Sequence, residues 1–259
     1  MFLAIDVGNT QSTLGLFDNE GQLAKGWRMT SNASDTSDML HARLFSYFLK
    51  DGYELADVSA AAVASVVPAL TRAWWRCLGD LLGRSPLLVN ATHDYGMPID
   101  MPNPRTVGAD RIANAIAARN TYGSPVIVVD FGTATNIDVV DDRGAYRGGA
   151  ISPGLMLSAN ALFSKAAKLA SIPVEAPEHA LGDTTETAMQ SGLVIGAAAQ
   201  AEGLVSRMKA ELGIEQAKVI GTGGLARTVS RATGLFDAID PTLTLRGIRE
   251  IWLQQHGGA

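Results

Sequence analysis

The amino-acid sequence predicts an α/β protein made of two duplicated units, each a mixed sheet flanked by helices, with a cleft between them. One observation is a pair of hairpins about half a chain apart, each with an apolar β run, a turn rich in Asp and Gly, and a second β run. A second observation is that the same order of strands and helices follows each hairpin. With 259 residues and 47% hydrophobic composition, the chain is long enough for two small cores. The predicted domains are residues 1–123 and 124–259.

The two hairpin turns carry the residues that indicate a function. In the central hairpin, the β run 126–129 ends at Asp130 and turns through Gly132 and Thr133. The opening hairpin passes in the same way from the apolar run 2–5 into Asp6-Val-Gly-Asn-Thr10. Glycine allows a sharp turn that approaches a ligand closely, and the nearby amides and hydroxyls suit phosphate oxygens. An ordinary turn explains either hairpin alone, whereas the pair favours a nucleotide phosphate site with an acid available for a cation.

The rest of the first half alternates between β and helical patterns. Ser34 or Asp35 is predicted to cap the first helix, because apolar residues then recur at helical spacing. The predicted strands and helices are a strand over 22–29, the helix containing Met39, Leu40, Leu44, Phe45, Phe48 and Leu49, a strand over 58–67, a helix over 68–82, a strand over 85–89 and a helix over about 109–122.

The second half repeats this order. Three strands are predicted over 126–129, 137–140 and 146–151, and helical segments over about 155–170 and 185–212. The strand 219–221 leads into Thr222-Gly-Gly224 and a further helix. A short strand near Phe236 and a helix over 242–255 complete the pattern, before the tail 257–259.

Composition excludes several partners and compartments. The net charge of −5 and the lack of a basic run argue against nucleic acid or an anionic membrane as partner. Cys77 is the one cysteine, and its neighbours Trp74, Trp75 and Leu78 favour a packed core thiol over a nucleophile. The N-terminus lacks a basic signal-peptide region, and the longest apolar stretch, 58–70, is too short for a bilayer. These features predict a cytoplasmic protein.

Several short motifs, in their joint order and spacing, resemble the type III pantothenate kinases of the sugar kinase, actin and heat-shock ATPase superfamily. The motifs are Asp6-Val-Gly-Asn-Thr10, Trp27-Arg-Met-Thr30, Ser65-Val-Val-Pro68, Asn103-Pro-Arg-Thr-Val-Gly-Ala-Asp-Arg111, Asp130-Phe-Gly-Thr-Ala-Thr135, Gly148-Gly-Ala-Ile-Ser-Pro-Gly154, Ser191-Gly192 and Thr222-Gly-Gly224. The resemblance implies two ribonuclease H-like (actin-like ATPase) domains. It also implies transfer of the ATP γ-phosphate to the primary hydroxyl of pantothenate, giving 4'-phosphopantothenate, the first step of coenzyme A biosynthesis.

The resemblance also implies roles for particular residues. Asp130 matches the family's monovalent cation ligand, for K⁺ or NH₄⁺, and Asp110 stands where the catalytic base belongs. From the residues alone, an N-cap on the following helix is at least as good an explanation of Asp110. The ATP, with its Mg²⁺, is expected to contact Asp6, Val7, Gly8, Asn9, Thr10, Gln11, Ser12, Thr13 and Thr133. Pantothenate is expected to contact Gly108, Ala109, Asp110, Arg111 and Thr185, with Arg111 able to hold its carboxylate.

Some positions depart from the family pattern. Met101 stands where a substrate-facing Tyr is usual, so that contact is missing or comes from Tyr95. Asn136 stands where a Thr is usual. Thr184 replaces the Asn of the family's Gly-Asn-Thr motif, in which Thr185 retains the hydroxyl that contacts the substrate. The stretch 165–173 matches the family only loosely. These departures concern substrate affinity more than the type of reaction.

The resemblance implies a homodimer in which Thr185 contacts pantothenate bound by the partner. The small apolar residues over 193–204 suit close helix packing, either between subunits or, as the sequence alone slightly favours, within a core. Two other functions use the same predicted cleft. One is a nucleotide-binding regulator or actin-like assembly protein, and the other is a kinase for a sugar or another small alcohol.

Overall fold

Two five-stranded sheets of identical topology form the framework of the molecule. The computed structural model describes residues 1–165 and 171–257. The sheet orders are β3-β2-β1-β4-β5 and β8-β7-β6-β9-β10. The strands are β1 Phe2–Val7, β2 Gln11–Phe17, β3 Leu23–Thr30, β4 Ala60–Ser65, β5 Leu87–Val89, β6 Val126–Phe131, β7 Ala134–Val140, β8 Tyr146–Pro153, β9 Lys218–Thr222 and β10 Ala238–Ile239. The predicted duplication is therefore confirmed.

The same pairing pattern surrounds the first strand of each sheet. β1 is antiparallel to β2 and parallel to β4, just as β6 is antiparallel to β7 and parallel to β9. β1 and β6 are central strands, and in both of them all but one residue is buried. This explains why each reads as a nearly continuous apolar run.

The helices agree closely with the hydrophobic periodicity. They are α1 Ser37–Asp51, α2 Pro68–Leu82, α3 Ala109–Tyr122, α4 Leu155–Lys165, α5 Thr185–Gln190, α6 Gly196–Leu212, α7 Ala226–Val229 and α8 Leu243–His256. A π-helical turn, Ser191–Ile195, joins α5 to α6, so the predicted helix 185–212 is continuous. The helix predicted over 155–170 is observed to residue 165, and its remainder lies outside the described residues.

The cap of α1 differs from the prediction. Thr36 is the N-cap, and its hydroxyl accepts a hydrogen bond of 3.3 Å from the Met39 amide. The prediction of Ser34 or Asp35 was wrong because the Asp35 carboxylate is buried in an ion pair with Arg43. Three of the six apolar positions of α1 are buried, Leu40, Leu44 and Phe48, whereas Met39, Phe45 and Leu49 are exposed.

The first compact unit contains residues 1–96, 103–117 and the chain from Leu243 onwards. Its core joins the buried faces of β1, β2 and β4 to α1 and α2. Trp252 of α8 packs on Phe2 of β1 at 5.1 Å between ring centroids. Gly247 of α8 lies so close to the Ala113 backbone of α3 that a side chain would not fit. The unit therefore includes the last helix, and differs in this from the predicted continuous segment 1–123.

The second compact unit contains residues 97–102 and 118–242. Its core is formed by β6, β7 and β9 together with α4, α6 and α7. Val194 of the π-helical turn and Ala198, Ala201 and Val205 of α6 all contribute to this core. The long helix 185–212 thus buries one of its faces within the unit, which was the alternative that the sequence slightly favoured.

Two further expectations concern Cys77 and the membrane. Cys77 is buried in the first core, and burial raises the pKa of its thiol to about 12, as befits a packing residue. Across residues 1–165 and 171–257, the helices are all too short or too polar to cross a bilayer.

Candidate active site

The turn between β1 and β2 presents a short polar loop at the end of the first sheet. Asp6 is the next-to-last residue of β1, between Thr13 of β2 and Ala64 of β4. The Gly8 amide donates to the Gln11 carbonyl at 3.1 Å, which closes the turn around Asn9 and Thr10. Asn9, Thr10 and Gln11 are exposed, while Asp6, Gly8 and Thr13 are half-buried. The loop thus offers the Asp6 carboxylate, the Asn9 side-chain amide and threonine hydroxyls together.

Two of the residues predicted to contact ATP direct their side chains inwards. Val7 is fully buried in the first core. The Ser12 hydroxyl is also buried and makes a hydrogen bond of 2.8 Å with the Ser31 hydroxyl. Alternation along a strand accounts for this, because Ser12 faces the opposite side of β2 from Gln11 and Thr13. Any contact from Val7 or Ser12 to a ligand would therefore be made by the backbone.

The turn between β6 and β7 is the counterpart in the second unit. Asp130 lies between Asn136 of β7 and Thr222 of β9, as Asp6 lies between its own two neighbours. This turn is one residue tighter, because the Gly132 amide donates to the Ala134 carbonyl at 3.0 Å. Thr133 is exposed at its tip. Asp6 and Asp130 therefore occupy equivalent positions in the two duplicated sheets.

Two glycines not predicted as site residues pack directly on the β6–β7 turn. Gly223 has φ +90°, and a Cβ there would lie 2.7 Å from the Phe131 backbone and even closer to the Asp130 carboxylate. The Gly154 amide donates to the Thr133 carbonyl at 3.1 Å, and a Cβ on Gly154 would overlap that carbonyl. Both glycines belong to quoted motifs, Thr222-Gly-Gly224 and Gly148 to Gly154. The sequence signal was present, but their partner was not visible in it.

Asp110 lies in the first turn of α3. The helix begins at Ala109, and the Ile112 amide donates to the Gly108 carbonyl, so Asp110 is inside the helix and is not its N-cap. Its Oδ1 accepts the Arg111 amide at 2.9 Å. Burial raises the pKa of the Asp110 carboxyl, although the Arg111 amide and guanidinium oppose the shift. A raised pKa makes this carboxylate a stronger base than an ordinary aspartate.

Gly108 lies directly against this carboxylate. A Cβ on Gly108 would lie 2.5 Å from Asp110 Oδ1. A side chain at 108 would force the carboxylate to turn, so the glycine and the acid are matched. Arg111 follows Asp110 on the helix and is half-buried. Gly108 through Arg111 therefore bring a carboxylate and a guanidinium together in one helical turn of the first unit.

Thr185 is the first residue of α5 in the second unit and is exposed. The preceding Thr184 is the N-cap, and its hydroxyl accepts the Thr187 amide at 3.1 Å. In return, the Thr187 hydroxyl accepts the Thr184 amide at 3.0 Å. Threonine at 184 thus caps the helix as an asparagine would, and this departure from the family pattern leaves the start of the helix intact.

The remaining departures from the family pattern concern Met101, Asn136 and the stretch 165–173. Tyr95 is 3% exposed, and its hydroxyl accepts the Asn90 amide at 3.2 Å, so this ring is packed within the first unit. Met101 lies against Gly148, its sulfur 3.4 Å from the position of a Cβ. Asn136 is half-buried opposite Asp130. The stretch 165–173 lies mostly outside the described residues.

Solved structures identify the class of this fold. A Baf family transcriptional activator from Campylobacter jejuni aligns with TM-score 0.65 and 17% identity, covering 99% of this chain and 100% of that one. Component A of (R)-2-hydroxyglutaryl-CoA dehydratase from Acidaminococcus fermentans aligns with TM-score 0.58 and 16% identity, covering 100% and 99%. The chain therefore has the actin-like ATPase fold, with two duplicated ribonuclease H-like domains.

Sequence comparison identifies the family within that class. The family model for type III pantothenate kinase matches residues 2–207. A type III pantothenate kinase of Moorella thermoacetica is 42% identical over 252 residues, covering 97% of this chain and 98% of that protein. One from Thermomicrobium roseum is 42% identical over 256 residues, covering 99% and 98%. This chain belongs to the type III pantothenate kinase family.

Proposed function

We propose that this protein transfers the γ-phosphate of ATP to the primary hydroxyl of pantothenate and so forms 4'-phosphopantothenate. Family membership along the whole chain supports the reaction. The observation that carries the mechanism is the Asp110 carboxylate, which is held by the Arg111 amide and has a pKa raised by burial. An alcohol attacks phosphorus poorly unless its proton is accepted, and such a carboxylate both orients the hydroxyl and takes the proton. In this proposal the protein acts in the cytoplasm.

The pantothenate contacts in this proposal are Gly108, Ala109, Asp110 and Arg111. The Arg111 guanidinium supplies a charge for the pantothenate carboxylate, and the N-terminus of α3 adds a favourable dipole for an anion. Tyr95 is packed away, so we propose that the contact made by the usual Tyr is missing here. As a consequence, we expect this protein to bind pantothenate more weakly than a family member that has the usual Tyr.

ATP is proposed to bind the loop from Asp6 to Thr13, with Thr133 as a further contact. The exposed side chains of Asn9, Thr10 and Gln11 and the backbone of the turn suit phosphate oxygens. The Asp6 carboxylate fits Mg²⁺ bound to ATP, because Mg²⁺ in kinases uses one or two carboxylates, water and phosphate oxygens. Bound Mg²⁺ would offset the charge of the transferring phosphate.

Asp130 is proposed to bind a monovalent cation, K⁺ or NH₄⁺. Its carboxylate is half-buried, and the close approach of Gly223 brings backbone beside it. Oxygen ligands of this kind suit a hard cation. Asp130 also occupies the position equivalent to Asp6, so the duplication supplies one acid for each unit.

The protein is proposed to be a homodimer in which Thr185 contacts pantothenate bound by the partner. Ile151 and Leu181 of the second unit are 65% and 88% exposed, and Met156 and Leu157 are also exposed. Gly192, Gly196, Ala199 and Gly203 form an exposed row of small residues along the helix that begins at Thr185. Large exposed apolar side chains and an exposed row of small residues both suit packing against a second copy.

A coupled assay of ADP release tests the proposed reaction. With ATP, Mg²⁺ and K⁺ present, we expect ADP release that depends on added pantothenate. ATP turnover that is independent of pantothenate would instead favour a nucleotide-binding regulator or an assembly protein. Turnover that needs a sugar or another small alcohol in place of pantothenate would keep the mechanism and change the substrate.

A further inference from the structure

A six-residue segment, Met97–Pro102, belongs to the second unit although the chain on both sides of it belongs to the first. We call this segment the strap. Ile99 forms a parallel bridge with Tyr146 at the start of β8. The Tyr146 amide donates to the Pro98 carbonyl at 2.8 Å, and the Asp100 amide donates to the Tyr146 carbonyl at 2.9 Å. The strap thus extends the second sheet beyond its edge strand β8.

Two arginines bind the side chain of the strap residue Asp100. Asp100 Oδ2 lies 3.3 Å from Arg143 Nη2 and 3.5 Å from Arg147 Nε. Both arginines also pair with Asp141, at 2.9 and 3.1 Å. Asp141 is only 3% exposed and accepts the Ala145 amide as well. A nearly buried carboxylate therefore holds both guanidinium groups in place from the β7–β8 turn, and Asp100 meets a preformed cationic site.

The strap leads through a short turn into the residues proposed to bind pantothenate, Gly108 to Arg111. Met101 packs on Gly148, whose φ of +93° favours glycine. After Pro102, the Thr106 amide and hydroxyl both bind the Asn103 carbonyl, and the Val107 amide binds the Pro104 carbonyl. Val107 is buried, and Gly108 follows at once. A displacement of the strap would therefore be passed along a short, internally bonded turn.

We propose that the ion pairs of Asp100 with Arg143 and Arg147 position residues Gly108 to Arg111 by fixing the strap. Asp100 and the two arginines act here as positioning residues, and the inference deepens the proposed function, on which its kinetic part rests. Asp100 and Arg143 are more than half exposed, so the pairs contribute little to global stability. Their role is to limit the motion of a segment whose misplacement is costly for phosphoryl transfer.

The test compares Asp100→Asn with Asp142→Asn. Both variants remove one acid, but Asp142 is an exposed neighbour of the network, in the same turn as Arg143. In Asp100→Asn we expect amide hydrogen exchange over residues 103–111 to be roughly two- to fivefold faster, the scale set by an exposed ion pair. We expect kcat/KM for pantothenate to fall by a similar or larger factor, roughly two- to tenfold, while KM for ATP and the melting temperature stay unchanged. Asp142→Asn should match the unaltered protein, and Asp100→Glu should retain most of the effect of the native acid.

The outcomes separate the two proposals. Unchanged exchange over residues 103–111 in Asp100→Asn overturns the positioning role, whatever the kinetics show. Faster exchange together with an unchanged pantothenate kcat/KM overturns it as well, because the segment would then move without consequence for the substrate. If the unaltered protein does not phosphorylate pantothenate, the proposed function fails. In that case, faster amide hydrogen exchange over residues 103–111 in Asp100→Asn than in Asp142→Asn would still support the anchoring of these residues by the ion pairs.

Discussion

At the scale of single residues, the raised pKa of Asp110 suits its proposed role as a base, but it makes the ionised carboxylate unfavourable for folding. Its pKa is raised in the folded protein, so folding favours the protonated carboxyl. The resulting stabilisation is complete below the unfolded pKa, near 3.8, and is lost as the pH rises through the folded value. The ionised form, which the proposed role as a base requires, is therefore disfavoured by the fold.

The pH dependence of the reaction follows from this shift. A base must be ionised, so we expect kcat/KM for pantothenate to fall as the pH is lowered through the raised pKa of Asp110. The acid limb should lie above the pKa of 3.8 of an ordinary aspartate. A pH–rate profile in a buffer series of constant ionic strength measures it. A profile that stays flat down to that value would argue against Asp110 as the titrating base.

Asp6→Asn tests the phosphate loop. We expect loss of Mg²⁺–ATP binding as well as of turnover, because a cation beside the triphosphate is the strongest local charge in such a site. Titration calorimetry with Mg²⁺–ATP provides the measurement. Glu20→Gln is the matched control, since it removes an exposed acid from the β2–β3 turn. Normal nucleotide affinity in Asp6→Asn would exclude Asp6 from the phosphate site.

Asp130→Asn tests the cation site. We expect a specific loss of activation by K⁺ or NH₄⁺, with nucleotide binding retained, because the carboxylate is proposed to be the cation's ligand. Activity is measured over a K⁺ series with the ionic strength held constant by a bulky organic cation. An unchanged dependence on K⁺ would show that the ligand lies elsewhere.

At the scale of secondary structure elements, the β9–α7 turn should be intolerant of any side chain at Gly223. A Cβ there meets the Asp130 carboxylate and the Phe131 backbone, and the positive φ adds strain. We expect Gly223→Ala to lower the free energy of unfolding by about 1–3 kcal/mol or more and to weaken cation activation. Gly224→Ala is the control, because a Cβ at 224 meets open space. Urea unfolding of both variants measures the difference, and equal losses would contradict the packing argument.

Most elements could be predicted from the sequence because their signals are local. Pro68 starts α2, and the apolar runs of β1 and β6 stand out because central strands are buried on both faces. The cap of α1 was missed because the Asp35 carboxylate pairs with Arg43, eight residues further along the chain, and the pattern of capping residues does not show this pairing. Ser12 faces inwards because side chains alternate along β2, and the pattern of hydroxyls in the turn does not reveal this.

At the scale of the whole molecule, the chain crosses between the two compact units several times. The strap 97–102 belongs to the second unit and α8 to the first, so neither unit is one continuous segment. Hydrophobic periodicity predicts an element but does not specify the sheet on which it packs. That choice depends on contacts such as Phe2 with Trp252, which are 250 residues apart in sequence.

The proposed dimer has a sharp consequence for mixed subunits. Asp110→Ala and Thr185→Ala should each be weak alone, because each change damages both sites of its own homodimer. In a heterodimer, one site carries both changes and the other carries neither. Co-expression at equal levels with random pairing should restore up to about one quarter of the unaltered activity, by counting intact sites in a two-fold assembly.

The control for this experiment pairs Asp110→Ala with Asp110→Asn, a mixture in which every site is damaged. Its activity should stay at the average of the two parents. If the Asp110→Ala and Thr185→Ala mixture also gives only that average, despite confirmed subunit exchange, then Thr185 acts within its own chain or has no role in the site.

The most direct test of the central claim compares product formation by the unaltered protein and by Asp110→Asn. Phosphorylated pantothenate is quantified by mass spectrometry, with Mg²⁺–ATP affinity and melting temperature measured on the same samples. We expect the unaltered protein to form the product and Asp110→Asn to form it roughly 10² to 10⁴ times more slowly, the usual contribution of a positioned base. ATP affinity should be unchanged and the melting temperature no lower, since the buried charge is removed. Absence of product from the unaltered protein, or nearly equal rates in the two proteins, would contradict the account.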